Sequence, residues 1–263
     1  MSGPVGIITG TGLYDLPGLD GEPREVTTEH GTAEVVVGSW DGVEVAHIAR
    51  HGRRHARLSH QVGARANMAA LARLGARAVL ATTVCGAVDP GLALGDLVAF
   101  DDLHFPSNRL PDGSLCTLFG RPDTPGRGHW VYERAISDGA RAALVAGARD
   151  AGATVRPAGV YGHVDGPRFN TRSEIAALAA VGVSAVSQTA GPEVVLAGEA
   201  GIAFGLLGFV TDHANGVTDE LTPPEVVEAM FRSSASVLAG VLRASLPHLA
   251  GAGPRPAGAI RAL

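Results

Sequence analysis

The chain has 263 residues, 46% of them hydrophobic and 18% charged, which is enough to bury a sizeable core and too apolar for a disordered segment. Its formal charge of −5 leaves no basic footprint for nucleic acid, and no apolar run approaches the roughly 18 residues of a membrane span. Cys85 and Cys116 make neither a disulfide framework nor a metal-ligand spacing, and Met1 to Gly6 lacks the features of a signal peptide, so a cytoplasmic enzyme without nucleic-acid or membrane partners is expected.

Short apolar strands alternate with amphipathic stretches. This predicts a single α/β domain over residues 1–250, with a central mixed β-sheet flanked by helices, and a flexible tail over 251–263. Val5 to Ile8 reads as the first strand, ending in Thr9-Gly10-Thr11-Gly12, and Val43 to Ala49 as another, ending in Arg50-His51-Gly52. A helix is predicted from about His60 to Leu74, with Met68, Leu71 and Leu74 near one face, followed by a strand from Ala78 to Val84. Asp102 to Arg127 is rich in Gly and Pro and reads as a long functional loop. Glu133 to Ala151 is a predicted helix, Thr154 to Tyr161 and Ser184 to Thr189 are strands, and a helix near Ser173 to Ala180 separates them. Ile202 to Thr211 is a further strand, closed by Asp212-His213-Ala214. Pro223-Pro224 opens a final helix that ends near Leu249, since proline suits a helix's first turn.

The polar clusters share one placement, each lying where a predicted strand stops. In open α/β sheets ligands collect beyond the carboxyl ends of strands, so Thr9, Arg50, His51, Thr83, Thr189 and Asp212 can converge although distant in sequence. The Thr9 to Gly12 turn offers hydroxyls and unobstructed backbone N–H groups suited to phosphate oxygens, and equally suits a plain tight turn. The run Arg50-His51-Gly52-Arg53-Arg54-His55 combines an arginine fork that matches phosphate with an adjacent imidazole donor; its bland alternative is a solvated basic loop. There is no Gly-x-Ser-x-Gly elbow, no His-Glu-x-x-His and no lysine, which excludes Schiff-base chemistry. Asp101, Asp102 and His104 are too few for a metal site, and loop solvation accounts for them.

Taken together these motifs resemble the trimeric purine nucleoside phosphorylases, most closely the methylthioadenosine phosphorylase branch. The likeness runs from about Val5 to Leu249. It rests on Ile8 to Leu13, Ala49 to His55, Thr82 to Gly86, Gly166-Pro167-Arg168-Phe169, Thr189 with Pro192 to Ala197, and Val210-Thr211-Asp212. The resemblance implies a nucleoside phosphorylase-like fold, a homotrimer, and phosphorolysis of purine nucleosides, 5′-methylthio forms among them. Inorganic phosphate would be the co-substrate, and no metal or organic cofactor is needed. By the same resemblance Thr9, Arg50, His51, Thr83 and Thr189 bind phosphate, with backbone near Val84 helping. Phe169 lies against the purine face, and Asp212 faces the base edge as the catalytic acid, its pKa raised by burial against Phe169 and apolar neighbours.

Three positions depart from the family pattern. Gln188 stands where a methionine usually touches the ribose, and its amide can reach a sugar hydroxyl. Ala214 replaces the second aspartate of the adenine-specific branch. Asn170 stands where that branch has Ser and the 6-oxopurine branch has Glu. The base pocket is therefore a hybrid, with substrate contacts expected from Phe169, Asn170, Gln188, Asp212 and Ala214. A nucleoside hydrolase and a non-catalytic purine nucleoside- or phosphate-binding protein are the alternatives.

Overall fold

A computed structural model describes residues 3–262. Among the described residues eleven strands build one sheet, with path order β2-β3-β4-β1-β5-β11-β10-β7. They are β1 (Val5–Thr9), β2 (Asp20–Thr28), β3 (Gly31–Trp40), β4 (Val43–Ala49), β5 (Ala78–Ala87), β6 (Leu97–Ala99), β7 (Asp102–His104), β9 (Val155–Arg156), β10 (Val160–His163), β11 (Ala185–Ser187) and β12 (Ala203–His213). A separate ribbon pairs β8 (His129–Tyr132) with β13 (Gly258–Arg261). The helices are α1 (Ala64–Arg73), α2 (Asp138–Asp150), α3 (Arg172–Ala180), α4 (Ala190–Glu199) and α5 (Pro224–Ala252).

The central strands are covered on both faces, which is why they read as continuous apolar runs rather than alternating ones. Successive side chains divide between two cores. Ile8, Val79, Ala81 and Leu206 join Met68 of α1 and Val194 of α4, whereas Ile7, Ala78, Leu80 and Leu207 join Leu144 of α2 and Leu242 of α5. A smaller cluster packs Ile175 of α3 against Val183, Val186 and Ala214.

The feature that positions the site is the split edge of β5. Along one edge β5 pairs with β12 for its whole length, from Ala78 to Ala87. Along the other, β1 pairs in parallel only as far as Ala81, and β11 pairs antiparallel at Gly86 and Ala87. Thr82 to Cys85 therefore lie in a gap where the partner strand changes direction, the kind of switch point at which α/β sheets hold ligands.

Several elements differ from the expectation. β2 and β3 form an antiparallel meander that hydrophobic patterning misses, because β2 is a largely exposed edge strand carrying Glu, Arg and Pro. The helix expected from Glu133 begins at Asp138, because Ser137 caps it by accepting from Ala140 N–H. The strand expected over Thr154 to Tyr161 is broken into β9 and β10 around Pro157, which has no N–H for a ladder. The motif from Pro192 to Ala197 is part of a full helix, α4, buried along nearly all its length. In the stretch expected to be a loose tail, Gly258 to Arg261 pair antiparallel with His129 to Tyr132, so partner-strand hydrogen bonds supply order that composition does not suggest.

Leu144 is 0% exposed between the sheet and α5. Leu144→Ala should lower stability by about 2–5 kcal/mol, the usual cost of an unrelaxed core cavity, and a denaturant titration measures it. A loss under about 1 kcal/mol would mean that the α2–sheet interface is not tightly packed.

Candidate active site

The site is organised by one buried arginine. Arg50 directly follows β4, and its backbone N–H donates to the Thr9 carbonyl at 2.9 Å, which ties the ends of β4 and β1 together. Its side chain is 1% exposed and runs into the core, where a charge needs a partner. Glu193 of α4, 0% exposed, supplies it: Arg50 Nε donates to Oε1 at 2.6 Å and Nη2 to Oε2 at 2.7 Å. Nη1 donates to the Thr82 carbonyl in the β5 gap at 2.8 Å. The fork expected to clasp an anion bidentately is thus clasping Glu193, leaving one N–H on each terminal nitrogen. Gly10 has to be glycine here, because a Cβ would come within 2.5 Å of Nη1.

The other expected phosphate residues gather around this pair. Thr9 Oγ1 lies 2.7 Å from Nε2 of His47, a buried imidazole whose pKa burial pushes down to about 4. Thr83 Oγ1 lies 2.7 Å from Ser187 Oγ and donates to the Val84 carbonyl at 2.9 Å. Thr189 is the N-cap of α4 and makes no capping hydrogen bond, so its hydroxyl stands beside the positive end of a helix. His51 is held by Arg57, whose carbonyl can only accept, so Nδ1 carries the hydrogen at 2.9 Å. The ring stacks on His55 with centroids 4.3 Å apart. Burial and then the Arg50 charge lower the His51 pKa to about 4. Neutral His51 therefore presents Nε2 as an acceptor, not the donor expected from sequence. Arg53 and Arg54 remain at the surface, as a solvated basic run would.

The far end of the site is made by β12 and the Gly166 to Asn170 loop. A register shift between Val210 and Asp212 leaves Thr211 as a bulge, and bulges re-aim the following side chain. Asp212 pairs in register with Gly86, and its Oδ2 sits where a Cβ on residue 86 would approach to 3.1 Å, so glycine makes room for the carboxyl. Thr211 donates to Oδ1 at 2.8 Å. Burial raises the Asp212 pKa against this hydrogen bond and the nearby His213. Phe169 does not supply that burial, since it is 76% exposed. It is one of the chain's few large apolar side chains left in solvent.

The loop bearing Phe169 is braced from three sides. Arg168 and Asn170 both donate to Glu174, and Asn215 Nδ2 donates to the Asn170 carbonyl at 2.6 Å. Gln188 receives the Ser59 hydroxyl at 2.8 Å and donates to the Arg168 carbonyl at 3.0 Å. Its amide, expected at a sugar hydroxyl, joins three chain segments instead. Ala214 is buried among Val88, Ile175, Val183 and Val186, and its side chain also adjoins Gly86, on the side where the Asp212 carboxyl sits.

From Thr83 to Gly86 is three residues along β5, or roughly 10 Å. A hydroxyl-lined end is thereby set that far along β5 from the half-buried carboxyl of Asp212. Residues not singled out by sequence complete the arrangement: Glu193, His47, Ser187 and Tyr161. Glu193 had a signal, because an arginine at the end of an apolar strand implies a buried acid elsewhere. The other three are spread over different strands and carried none.

The profile of the Phosphorylase superfamily matches residues 4–247. The chain is 35% identical over 238 residues to a probable 6-oxopurine nucleoside phosphorylase of Thermococcus kodakarensis, covering 88% of this chain and 87% of that one. It is 35% identical over 236 residues to a probable S-methyl-5′-thioinosine phosphorylase of Xylella fastidiosa, covering 86% and 97%. Its fold matches methylthioadenosine phosphorylase from Schistosoma mansoni in complex with adenine, with a TM-score of 0.85, 29% identity, and coverage of 96% of this chain and 92% of that one.

Glu193→Ala leaves the Arg50 charge buried without its counter-ion and should cost about 3–5 kcal/mol in a denaturant titration. A loss near zero would show that Arg50 is not confined to the core. The buried histidines set the acid side of stability. His47 and His51 titrate at about 4 and His163 at about 3, all held down first by burial. An unfolded chain binds protons at these groups from about pH 6.5 downward, before the folded one does, so their contribution is complete above that pH and is lost as pH falls to about 4 for His47 and His51 and to about 3 for His163. The melting midpoint should fall over that window, and His163→Met should flatten the fall; an unchanged slope would exclude His163 as a contributor.

Proposed function

The chain belongs to the phosphorylase superfamily, and from that membership we propose that it cleaves purine nucleosides with inorganic phosphate, giving free base and ribose 1-phosphate or its 5′-modified analogue. The observation that carries the reading is the roughly 10 Å along β5 from the hydroxyl-lined end at Thr83 to Gly86, the cross-strand partner of the half-buried Asp212. Phosphate at one end and a purine at the other would place a ribose between them.

On this reading Thr9, Thr83 and Thr189 donate hydroxyls to phosphate, joined by the two N–H groups of Arg50 not taken by the protein and by backbone near Val84. His51 Nε2 accepts from a protonated phosphate oxygen, or takes a proton when the anion binds. Because Glu193 neutralises Arg50, the phosphate keeps its own charge, and that charge steadies the oxocarbenium-like sugar as the bond breaks. A phosphate oxygen attacks C1′, the C1′–N9 bond breaks with its electron pair going to the base, and the proton on Asp212 goes to N7. Raising the Asp212 pKa by burial favours the protonated form this step needs. Phe169 offers its exposed ring to the purine face. Asp212 and Asn170 are the polar groups offered to the base edge, and Ala214 adds none. Inorganic phosphate is the co-substrate, and no step calls on a metal or organic cofactor.

The reading extends to a homotrimer acting in purine salvage in the cytoplasm. Support for assembly comes from a groove of about 520 Å³ lined by Phe105, Leu115, Phe119, Trp130 and Tyr132, with Leu115 and Tyr132 exposed at its rim. Among the described residues no helix is long and apolar enough to cross a membrane.

The test is base release from adenosine, inosine, guanosine and their 5′-methylthio forms, with and without phosphate. Release that requires phosphate is expected. Equal release without it would make the protein a hydrolase, and tight binding without release a nucleoside-binding protein. Asp212→Asn should lower kcat by roughly 10²-fold or more on 6-aminopurine substrates, as the loss of a general acid does. Wild-type turnover by this variant would remove Asp212 from that role.

A further inference from the structure

Tyr161 of β10 is fully buried, and its hydroxyl oxygen accepts from the backbone N–H of Ala190, the first residue of α4, at 3.1 Å. A backbone N–H only donates. The phenol oxygen must therefore accept there, and its own hydrogen goes to its other partner, Ser187 Oγ, at 2.7 Å. Ser187 then has one hydrogen to give, and Thr83 Oγ1 is the partner at 2.7 Å. Thr83 is left receiving on one side with its own proton free for an acceptor, the Val84 carbonyl at 2.9 Å in the unliganded chain. The opposite polarity, with the phenol oxygen accepting from both Ala190 and Ser187, would leave the Tyr161 hydrogen buried with no acceptor.

We propose that Tyr161 and Ser187 are positioning residues for phosphate: the run Ala190 N–H to Tyr161 to Ser187 to Thr83 fixes the Thr83 hydroxyl as a donor and so selects an ionised phosphate oxygen over a P–OH at that point. This rests on the reading of Thr83 as a phosphate contact. The run starts at the positive end of α4, so the helix dipole acts in the same sense as each hydroxyl along it. Burial pushes the Tyr161 pKa up to about 12, so the phenol keeps its hydrogen throughout the physiological range. Without Tyr161, Ser187 is free to turn and accept from Thr83, and Thr83 then no longer donates.

The experiment measures equilibrium binding of inorganic phosphate to the full chain by calorimetry, together with KM for phosphate and for nucleoside, in Tyr161→Phe, Ser187→Ala, the double variant and Ser187→Thr. Phosphate affinity should fall roughly tenfold in each of the first two, the scale of one hydrogen bond to a charged group, with the nucleoside KM unchanged. The double variant should bind phosphate no more weakly than Ser187→Ala alone, because Tyr161 acts only through Ser187. Ser187→Thr should retain wild-type affinity. Unchanged phosphate affinity in Ser187→Ala overturns the proposal, as does a double variant in which the two losses multiply. Should Tyr161→Phe fail to fold, the Ser187→Ala and Ser187→Thr pair decides the matter. A wild-type chain that binds phosphate through this run yet releases base without needing it leaves the relay standing and removes phosphorolysis. A wild-type chain that binds no phosphate overturns both.

Discussion

The arrangement of the site depends on the Arg50–Glu193 pair. Two charges that are both removed from water are tolerable only with close, saturating geometry, and here Glu193 takes two guanidinium hydrogens while the Thr82 carbonyl takes a third. That requirement fixes three elements at once: the end of β4, the gap in β5, and the first turn of α4. Once α4 is placed, Thr189 and the Ala190 N–H are placed with it. The same pair is electrically neutral, so the proposed phosphate end of the site would rely on hydroxyls and helix N–H groups with little net positive charge. A phosphate held that way would remain a strong nucleophile and a useful counter-charge.

The two ends of the site place opposite demands on their surroundings, and β5 meets both because its edge is divided. Where β1 stops and β11 has not yet begun, Thr82 to Cys85 face neighbours other than a regular ladder. Hydroxyls from Thr83 and Ser187 meet there. Three residues further on, the ladder resumes, and burial holds a carboxyl toward its protonated form at Asp212. A donor-rich end on β5 and a half-buried acid on the adjoining strand β12 thus lie close along the sheet without sharing an environment. The bulge at Thr211 and the absence of a side chain at Gly86 make that acid fit.

The loop carrying Phe169 shows how a polar substitution can be absorbed by the scaffold. By residue type Gln188 suggested a new contact to a sugar, yet its two ends are used by Ser59 and the Arg168 backbone. Together with Glu174 and Asn215 it fixes the loop backbone and leaves the aromatic ring free. Ala214 illustrates the reverse case: a small apolar side chain fills a cluster around Ile175 and adjoins Gly86 beside Asp212.

The strand ends at Thr9, Arg50, Thr83 and Asp212, the mixed sheet and the long last helix are all legible in the sequence, because a strand covered on both faces must be a continuous apolar run and a polar residue at its end is conspicuous. The edge strand β2, the order in the tail at Gly258 to Arg261 and the helix α4 were not legible, since each is stabilised by partners far along the chain and not by local pattern. Residue type pointed to Arg50 as an anion fork and His51 as a donor. Tertiary structure decided that Arg50 is already paired with Glu193, 143 positions away, and that the Arg57 carbonyl turns the His51 acceptor nitrogen outward from that bond. The physical reason is the same throughout: sequence determines which groups can donate, accept or carry charge, but only burial and the identity of the neighbour determine which of those capacities is left over for a ligand.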